Sequence, residues 1–323
     1  KMTDIFAVAE IEEALQLRLS GIRADILILG YTSPSRALEL VENGFIQTVM
    51  SYEYALDLKK NLSLEKLPIH IKIDSGMRRL GFDFEREDTI SEIEKIASMS
   101  CFSLEGIFTH LSSADIDERE FTLMQLERFK YAAAGLERLG IAGLIRHAAN
   151  SAAIIDYPEF AFDMVRAGII LYGMAPSNKL IGRLGIMPAM TLRAPVSLVK
   201  EVKRGESVGY SRKFIANRDM KIATVQIGYA DGVFRYGSCG TAKFTLCNRA
   251  VRTLGNICMD QLMLDVSELD DVKMGDEVIL FGEGGASAES LADDIKTISY
   301  EITTTVGARV PRVYTENGKI TDI

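Results

Sequence analysis

Basic side chains follow a strand-like run near residue 70. The run 69–74 reads Ile-His-Ile-Lys-Ile-Asp, so it contains Lys72, and the glycine turn after it carries Met77 and Arg79. An arginine just past a strand end is placed to bind a carboxylate through two parallel N–H donors. A charged lysine inside a buried strand is costly unless something neutralises it. The pattern therefore predicts an anion-binding site, although a surface arginine in a glycine turn would fit it equally well.

Other polar residues end the following apolar runs. His110 closes one run, Ser151 follows another, and Arg166 precedes Gly168-Ile169 in a third. Hydroxyls and N–H groups at glycine turns and helix starts suit a phosphate dianion. Each of these positions is a weak signal alone, and a lone strand-end histidine such as His110 is more often structural than catalytic.

The second half of the chain contains two tyrosines in glycine-containing segments. Tyr210 lies in a Val-Gly-Tyr-Ser segment and Tyr229 in Gly-Tyr-Ala-Asp-Gly. A tyrosine, with an ordinary pKa near ~10, acts as a base only beside positive charge. Arg79 or His110 could supply that charge. A strand aromatic without a chemical role is the commoner interpretation of Tyr210 alone.

These residues need a scaffold that brings strand ends together. Short apolar runs alternate with amphipathic segments, as in the helical face of Ile11, Leu15 and Leu19 and the long helix expected at 117–139. Strand-like runs occur at 6–9, 25–30, 46–50, 69–74, 104–110, 145–150 and 164–173. This pattern predicts an α/β fold, a (β/α)₈ TIM-type barrel whose first βα unit is absent from the sequence. An open doubly wound sheet is the alternative, but no Gly-x-Gly-x-x-Gly follows a first strand.

The pattern changes after about residue 180. Short β-type runs follow, with one helix expected at 287–296, and the runs fall at 196–202, 221–227, 242–246, 263–266 and 277–281. We therefore predict two domains, a barrel over 1–180 and a C-terminal β-rich domain over 181–323.

Composition excludes several classes of function. A net charge of −8 argues against a nucleic-acid partner, because phosphate backbones require a basic face. The apolar runs are too short to span a bilayer, so we expect no membrane contact by this domain. Four cysteines without a Cys-x-x-Cys pair and three scattered histidines indicate no metal site and a reducing, cytoplasmic location. A small-molecule substrate remains.

Four segments in this order resemble the alanine racemase family. They read Asp-Ser-Gly-Met-Arg-Arg-Leu-Gly at 74–81, Met-Val-Arg-Ala-Gly at 164–168, Gly-Tyr-Ala-Asp-Gly at 228–232 and Gly-Asn-Ile-Cys-Met-Asp-Gln at 255–261. The resemblance covers essentially the whole chain. It implies a pyridoxal 5'-phosphate (PLP) enzyme, a homodimer with shared active sites, and interconversion of the two hands of a small amino acid.

The resemblance also implies roles for single residues. Arg79 would contact the substrate carboxylate, His110 and Arg166 would lie against the cofactor ring, and Tyr210 would be one of two bases. An arginine at the ring nitrogen, where related decarboxylases have glutamate, favours racemisation. The remaining implied roles are a carbamate on Lys72, the phosphate site at Ser151, Gly168 and Ile169, substrate contacts by Met77, Met259, Tyr229 and Ala308, and site entry at Cys258 and Asp260. Tyr229 and Met259 would come from the second subunit.

One family feature has no counterpart in the sequence. Family members carry the cofactor lysine, the other base, in a Val-Lys-Ala-Asn-Ala-Tyr-Gly-His-Gly-like segment, and no such run occurs in the 323 residues. We expect this lysine to lie outside the sequence. The alternative is a non-catalytic domain that kept the fold and lost the lysine.

Ala308 departs from the family pattern. It stands in Ala-Arg-Val-Pro-Arg, where alanine racemases usually have a tyrosine. A smaller side chain leaves room for a hydroxymethyl group, although packing alone discriminates modestly. The departure resembles the serine/alanine racemase domains of vancomycin-resistance clusters, which are attached to a membrane domain and supply D-amino acids for peptidoglycan precursors. We expect serine and alanine as substrates, with strict alanine racemisation as the alternative.

Overall fold

Parallel strands alternating with helices form the first of two units. The computed structural model describes residues 3–64 and 66–321, and the chain divides after Gly168, whereas the sequence placed the domain boundary after residue 180. The elements of the first unit are β1 (Ile5–Val8), α1 (Ile11–Leu19), β2 (Asp25–Ile28), α2 (Ala37–Glu42), β3 (Phe45–Val49), α3 (Tyr52–Lys59), β4 (Leu67–Asp74), β5 (Phe82–Asp83), α4 (Thr89–Ala97), β6 (Phe102–Phe108), α5 (Arg119–Arg138), β7 (Ile145–His147) and α6 (Ser151–Asp156).

The strand order confirms the predicted barrel-type architecture. All pairs are parallel in the order β1-β2-β3-β4-β6-β7, and the short β5 pairs with β4. Every residue of β3 is buried, as expected for a parallel strand covered on both faces. Because the strands run in one direction, their carboxyl ends meet on one face, where Asp74, Phe108 and His147 stand.

Side-chain caps start two of the helices beside this face. The hydroxyl of Ser51 accepts a hydrogen bond from the Tyr54 N–H before α3, and the Asn150 side chain accepts one from the Ala153 N–H before α6. Each cap satisfies a donor that the first helical turn leaves unpaired. The turns after β3 and β7 are thereby held in place.

The prediction of a strand over 164–173 is wrong. Met164 makes only an isolated bridge with His147, and Ile169–Tyr172 is a 3₁₀ turn. The intervening backbone follows β7 irregularly, since the Arg166 N–H donates to the Ala149 carbonyl over 2.9 Å. Of the apolar residues in this run Ile169 is buried, whereas Val165, Leu171 and Tyr172 are exposed, so the apolar composition belongs to a loop that carries Arg166.

The second unit contains a closed antiparallel barrel, which confirms the predicted β-rich domain. The barrel order is β11-β14-β13-β12-β15-β8. The elements of this unit are β8 (Leu192–Val202), β9 (Ser207–Val208), β10 (Phe214–Ile215), β11 (Met220–Val225), β12 (Lys243–Leu246), β13 (Arg249–Leu254), β14 (Leu262–Asp265), β15 (Glu277–Phe281), α7 (Ala288–Ile295), α8 (Ser299–Thr304), β16 (Thr315–Glu316) and β17 (Lys319–Ile320).

The sequence missed the barrel strand β13 and the helix α8, besides the two-residue strands β9, β10, β16 and β17. The strand β13 has exposed arginines at 249 and 252, which concealed its alternation. The helix α8 is rich in threonine, a residue of low helix propensity. Buried Ile302, which packs into the core of this unit, shows that tertiary packing stabilises α8 where propensity does not. The expectation of a single helix was therefore wrong.

Candidate active site

A small cleft opens at the carboxyl ends of β4 and β6. It gathers the residues that the sequence singled out near positions 70 and 110, and its lining is Lys72, Ile73, Asp74, Met77, Arg79, Leu80, Thr109 and His110. Lys72 and Asp74 come from β4, and His110 follows β6 by two residues. The structure therefore brings Lys72, Met77, Arg79 and His110 together, as the strand-end argument requires.

Two adjacent arginines in this turn have different partners. Arg78 donates to Asp83 and Glu85, each over 2.5 Å, so its charge is neutralised. Arg79 is exposed and forms no ion pair within residues 3–64 and 66–321. Its guanidinium is therefore available for an anion, which distinguishes it from its neighbour.

Lys72 is a buried cation in the same cleft. Its side chain is 6% exposed, and its ammonium lies 5.4 Å from the centre of the Phe108 ring. Burial first, then the charges of Arg79 and Arg166, lower the pKa of Lys72 to about 8. A substantial fraction of this amine is consequently neutral near physiological pH.

Arg166 is held by three firm acceptors. Its Nη2 donates to the carbonyls of Thr109 and Ala148 over 2.8 and 3.0 Å, and its Nη1 donates to His147 Nδ1 over 2.8 Å. The predicted contact with His110 is longer, at 3.5 Å. Burial lowers the pKa of Arg166 to about 10, which leaves it a cation at neutral pH. In the described part of the chain no carboxylate pairs with it.

The neighbouring histidines are neutral. Burial, with Arg166 as the next cause, lowers the pKa of His70 to about 4 and that of His110 to about 3, and it also lowers the pKa of His147. The expectation that His110 could supply positive charge to Tyr210 is therefore wrong, because His110 carries no charge near pH 7.

Ser151 and Gly168 form the predicted hydroxyl–glycine pair. The Gly168 N–H donates to the Ser151 hydroxyl over 3.0 Å, at the start of α6. A Cβ at Gly168 would stand 3.7 Å from that hydroxyl, so the missing side chain leaves space beside it. Ile169 begins the second unit and is buried in its core.

A second group of predicted residues gathers within the second unit. The Tyr229 N–H donates to the Cys258 carbonyl over 3.0 Å, and the Ala230 N–H donates to the Met259 carbonyl over 2.9 Å. Arg309 donates to both Asp231 and Asp260 over 2.6 Å each. Tyr229 and Met259 are 44% and 53% exposed, so these side chains are available for a further contact.

Tyr210 and Ala308 also belong to the second unit, and both are exposed. The Tyr210 carbonyl accepts a hydrogen bond from the Asn256 amide over 2.9 Å, while its ring is 68% exposed. Ala308 is exposed and precedes Arg309. The loop 256–260 therefore connects the surroundings of Tyr210 with those of Tyr229.

Sequence reasoning gave no role to His70 or His147. Both side chains are fully buried and hydrogen-bonded to each other. The signal was present, since a histidine flanked by isoleucines inside a strand must pay for its burial with polar partners. Among the described residues, no group of three His, Cys, Asp or Glu side chains could hold a metal ion. No helix in the same residues is long and apolar enough to cross a membrane.

Comparison with known families matches both halves of the chain. The model of the alanine racemase N-terminal domain matches residues 1–176, and that of the C-terminal domain matches residues 189–314. Alanine racemase 1 of Clostridium acetobutylicum is 42% identical, over 98% of this chain and 83% of that relative. An alanine racemase of Methanococcus maripaludis is 41% identical, over 96% and 84%.

Solved structures agree with this assignment. An alanine racemase of Clostridium difficile 630 superimposes with a TM-score of 0.93 at 40% identity, covering 99% of this chain and 84% of that one. An alanine racemase from Bacillus anthracis with bound L-Ala-P gives a TM-score of 0.90 at 33% identity, covering 98% and 82%. The chain therefore belongs to the alanine racemase family, whose enzymes use pyridoxal 5'-phosphate.

Proposed function

We propose that this protein racemises alanine with PLP as cofactor. The observation that carries the proposal is Arg166, a cation without a carboxylate partner in the described residues, held by two carbonyls and His147 beside Lys72 and His110. When bound, PLP withdraws electrons from the substrate and thereby acidifies its α-hydrogen. The relatives named above are alanine racemases, which supports alanine as the substrate.

The residues of the first unit fit this cofactor. Arg166 uses three of its five N–H donors on firm protein acceptors, and its Nε–H has no acceptor in the described part of the chain. A ring nitrogen that only accepts suits such a donor. Ser151 and the Gly168 N–H would hold the phosphate. We expect Ser151→Ala to weaken PLP binding about tenfold or more, through loss of a charge-assisted hydrogen bond, while exposed Ser91→Ala leaves it unchanged. Absorbance titration measures both, and equal affinities would contradict this role.

The charge of Arg166 favours racemisation over other outcomes. Because an arginine donates and never accepts, Arg166 would hold the ring nitrogen of a bound cofactor without a proton. Negative charge that develops at the substrate's α-carbon would then be less stabilised. Return of a proton to that carbon would compete better with loss of another group from the substrate. Arg166→Glu should therefore lower racemisation and increase side reactions, measured as the ratio of racemised to decarboxylated or deaminated product.

Proton transfer requires a base on each face of the substrate. We assign one to the Tyr210 hydroxyl and the carboxylate contact to Arg79, whose guanidinium is unpaired among the described residues. Met77 lies in the same cleft as Arg79 and would contact the substrate. The second base is the family's lysine, which is not among the 323 residues.

We further propose a homodimer in which each site uses both subunits. Exposed Tyr229 and Met259, with Cys258 and Asp260 beside them, would complete the partner's site. Mixing Arg79→Ala chains with Tyr229→Ala chains, each inactive by itself if its residue is required, tests this arrangement, because random hybrids would restore about a quarter of the activity if sites are shared. No recovery in verified hybrid dimers would contradict it.

Lys72 is proposed to carry a carbamate. Its lowered pKa provides the neutral amine that attacks CO₂, forming a C–N bond and releasing one proton, and the product anion would lie between Arg79 and Arg166. Protein equilibrated with ¹³C-bicarbonate should show a carbamate carbon resonance that Lys72→Arg lacks. A parent spectrum without this resonance would contradict the assignment.

Serine is the second proposed substrate, supported by exposed Ala308 where the family usually has tyrosine. Ala308→Tyr should lower kcat/KM for serine relative to alanine, since the added ring occupies space for the hydroxymethyl group. If the ratio stays the same, the account of Ala308 is wrong.

The racemase proposal itself is tested by exchange in deuterated water. We expect L-alanine, and more slowly or equally L-serine, to lose the α-hydrogen and racemise in the presence of purified protein showing the absorbance of bound PLP. A protein that neither binds PLP nor exchanges this hydrogen would instead be the non-catalytic domain considered above.

A further inference from the structure

Behind Arg166 lies a chain of two buried histidines. Arg166 Nη1 donates to His147 Nδ1 over 2.8 Å, and His147 Nε2 stands 2.9 Å from His70 Nδ1. Both imidazoles are fully buried. The far nitrogen of His70, Nε2, has no hydrogen-bond partner in the described residues. The chain of hydrogen bonds thus runs from the cleft into the interior and ends at His70.

The direction of these hydrogen bonds follows from the arginine. A guanidinium has donors only, so His147 Nδ1 must be the unprotonated acceptor. The proton of neutral His147 then sits on Nε2 and is donated to His70 Nδ1, which leaves the His70 proton on its own Nε2. No carboxylate takes part, so the tautomer of His147 depends on its two partners, the Arg166 donor at Nδ1 and the His70 acceptor at Nε2.

The fold makes room for His70 at a specific position. His70 on β4 is in register with Gly106 on β6, next to a shift in strand register. A Cβ at Gly106 would lie 2.6 Å from the His70 ring atoms, which is far inside contact distance. On its other side, His147 stacks on Phe108 with ring centres 4.6 Å apart and planes 6° apart. The positions of both imidazole rings are therefore restricted by their neighbours.

We propose that His70 is a positioning residue for this reaction: it holds His147 in the Nε2–H tautomer, and His147 thereby orients Arg166. The proposal rests on the function proposed for Arg166 above. Without the His70 acceptor, His147 would gain nothing from keeping its proton on Nε2, and a proton on Nδ1 would repel the Arg166 donor. Gly106 contributes to the same arrangement, because its missing side chain leaves space for the His70 imidazole.

The three histidines of the sequence make the proposal directly measurable. In tag-free PLP-loaded protein labelled with [¹⁵N]histidine, long-range ¹H–¹⁵N correlation reports which ring nitrogen carries each proton. We expect protons on Nε2 of both His70 and His147. In His70→Phe we expect the Nε2–H signal of His147 to be lost or mixed with the other tautomer, and kcat to fall about tenfold with a smaller change in KM.

Three further variants separate positioning from folding. His70→Asn, whose side-chain oxygen can accept in place of Nδ1, should restore the His147 signal and most of kcat. Gly106→Ala should reproduce the His70→Phe spectrum by displacing the ring. Thr122→Val removes a buried hydroxyl that, like His70 Nε2, has no hydrogen-bond partner among the described residues, and it should change neither the His147 signal nor kcat.

Two results would overturn the proposal: a parent His147 protonated on Nδ1, or a folded His70→Phe whose His147 tautomer and kcat match the parent. An inactive parent with the expected tautomers would refute the proposed racemase function, and it would support the hydrogen-bond chain. The two failures are therefore distinguishable.

Discussion

Acidification should destabilise the first unit through its histidines. His70, His110 and His147 are the only histidines of the sequence, and all three have lowered pKa values, to about 4 for His70 and about 3 for His110. In the unfolded chain a histidine has a pKa near ~6.5. The folded value lies below the unfolded one, so this stability is present above pH 6.5 and is lost as the pH falls toward the folded values.

The size of this loss of stability depends only on proton binding to the unfolded chain, as long as the histidines of the folded protein stay neutral. Between pH 7 and about 5.5 each unfolded histidine gains roughly 1.3 kcal/mol from proton binding, or about 4 kcal/mol for three. The free energy of unfolding of a typical domain is about 5–15 kcal/mol in total. Carboxylates contribute little in this window, because their unfolded pKa values lie near ~4.

Urea denaturation of the cofactor-free protein measures this loss. Circular dichroism is the suitable signal, since the chain has no tryptophan. His70→Asn removes one titrating group, so its loss between the two pH values should be about 1 kcal/mol smaller than that of the parent. An unfolding free energy that is constant over this range, or an identical drop in the variant, would refute the neutral-histidine interpretation.

Two further predictions concern the free energy of unfolding. Gly232 has φ +105° and a Cβ there would lie 2.3 Å from the Thr305 carbonyl, so Gly232→Ala should lower this free energy by more than about 1 kcal/mol. The control Gly275→Ala, with φ +94° and no atom within 4 Å, should lose only the contribution of backbone strain, and equal denaturation midpoints for the two variants would contradict this. Arg18 donates to four backbone carbonyls, so Arg18→Lys should lower the free energy of unfolding by about 1–3 kcal/mol. The exposed control Arg23→Lys should leave it unchanged. Thermal unfolding compares the two variants, and similar values would show that the geometry of the guanidinium donors is unimportant.

Much of the fold was predictable because its signals are local. Alternating apolar runs and helical faces revealed the βα units, and the long helix expected at 117–139 is α5, Arg119–Arg138. The run 164–173 misled because an apolar loop and a buried strand have the same composition. The helix α8 was missed for the opposite reason, since its threonines disfavour a helix that packing stabilises.

The candidate site was predictable in its members and not in its connections. Strand-end positions identified Arg79 and His110, because parallel strands bring their carboxyl ends together, whereas Lys72 lies inside β4 and Arg166 lies in a loop. The neutral state of His110 was not predictable, since it depends on burial and on the nearness of Arg166. His70 had no visible role because its partner is 77 residues away in the chain.

The sequence by itself determined the family, the order of the elements and the set of reactive side chains, since these depend on residue type and spacing. Only the tertiary structure decided which of those side chains carry free charge. Arg78 is neutralised by Asp83 and Glu85, whereas Arg79 next to it is not. Tertiary folding also aligned His70 and His147 behind Arg166. Electrostatic and hydrogen-bond partners depend on distance in space, which spacing along the chain does not encode.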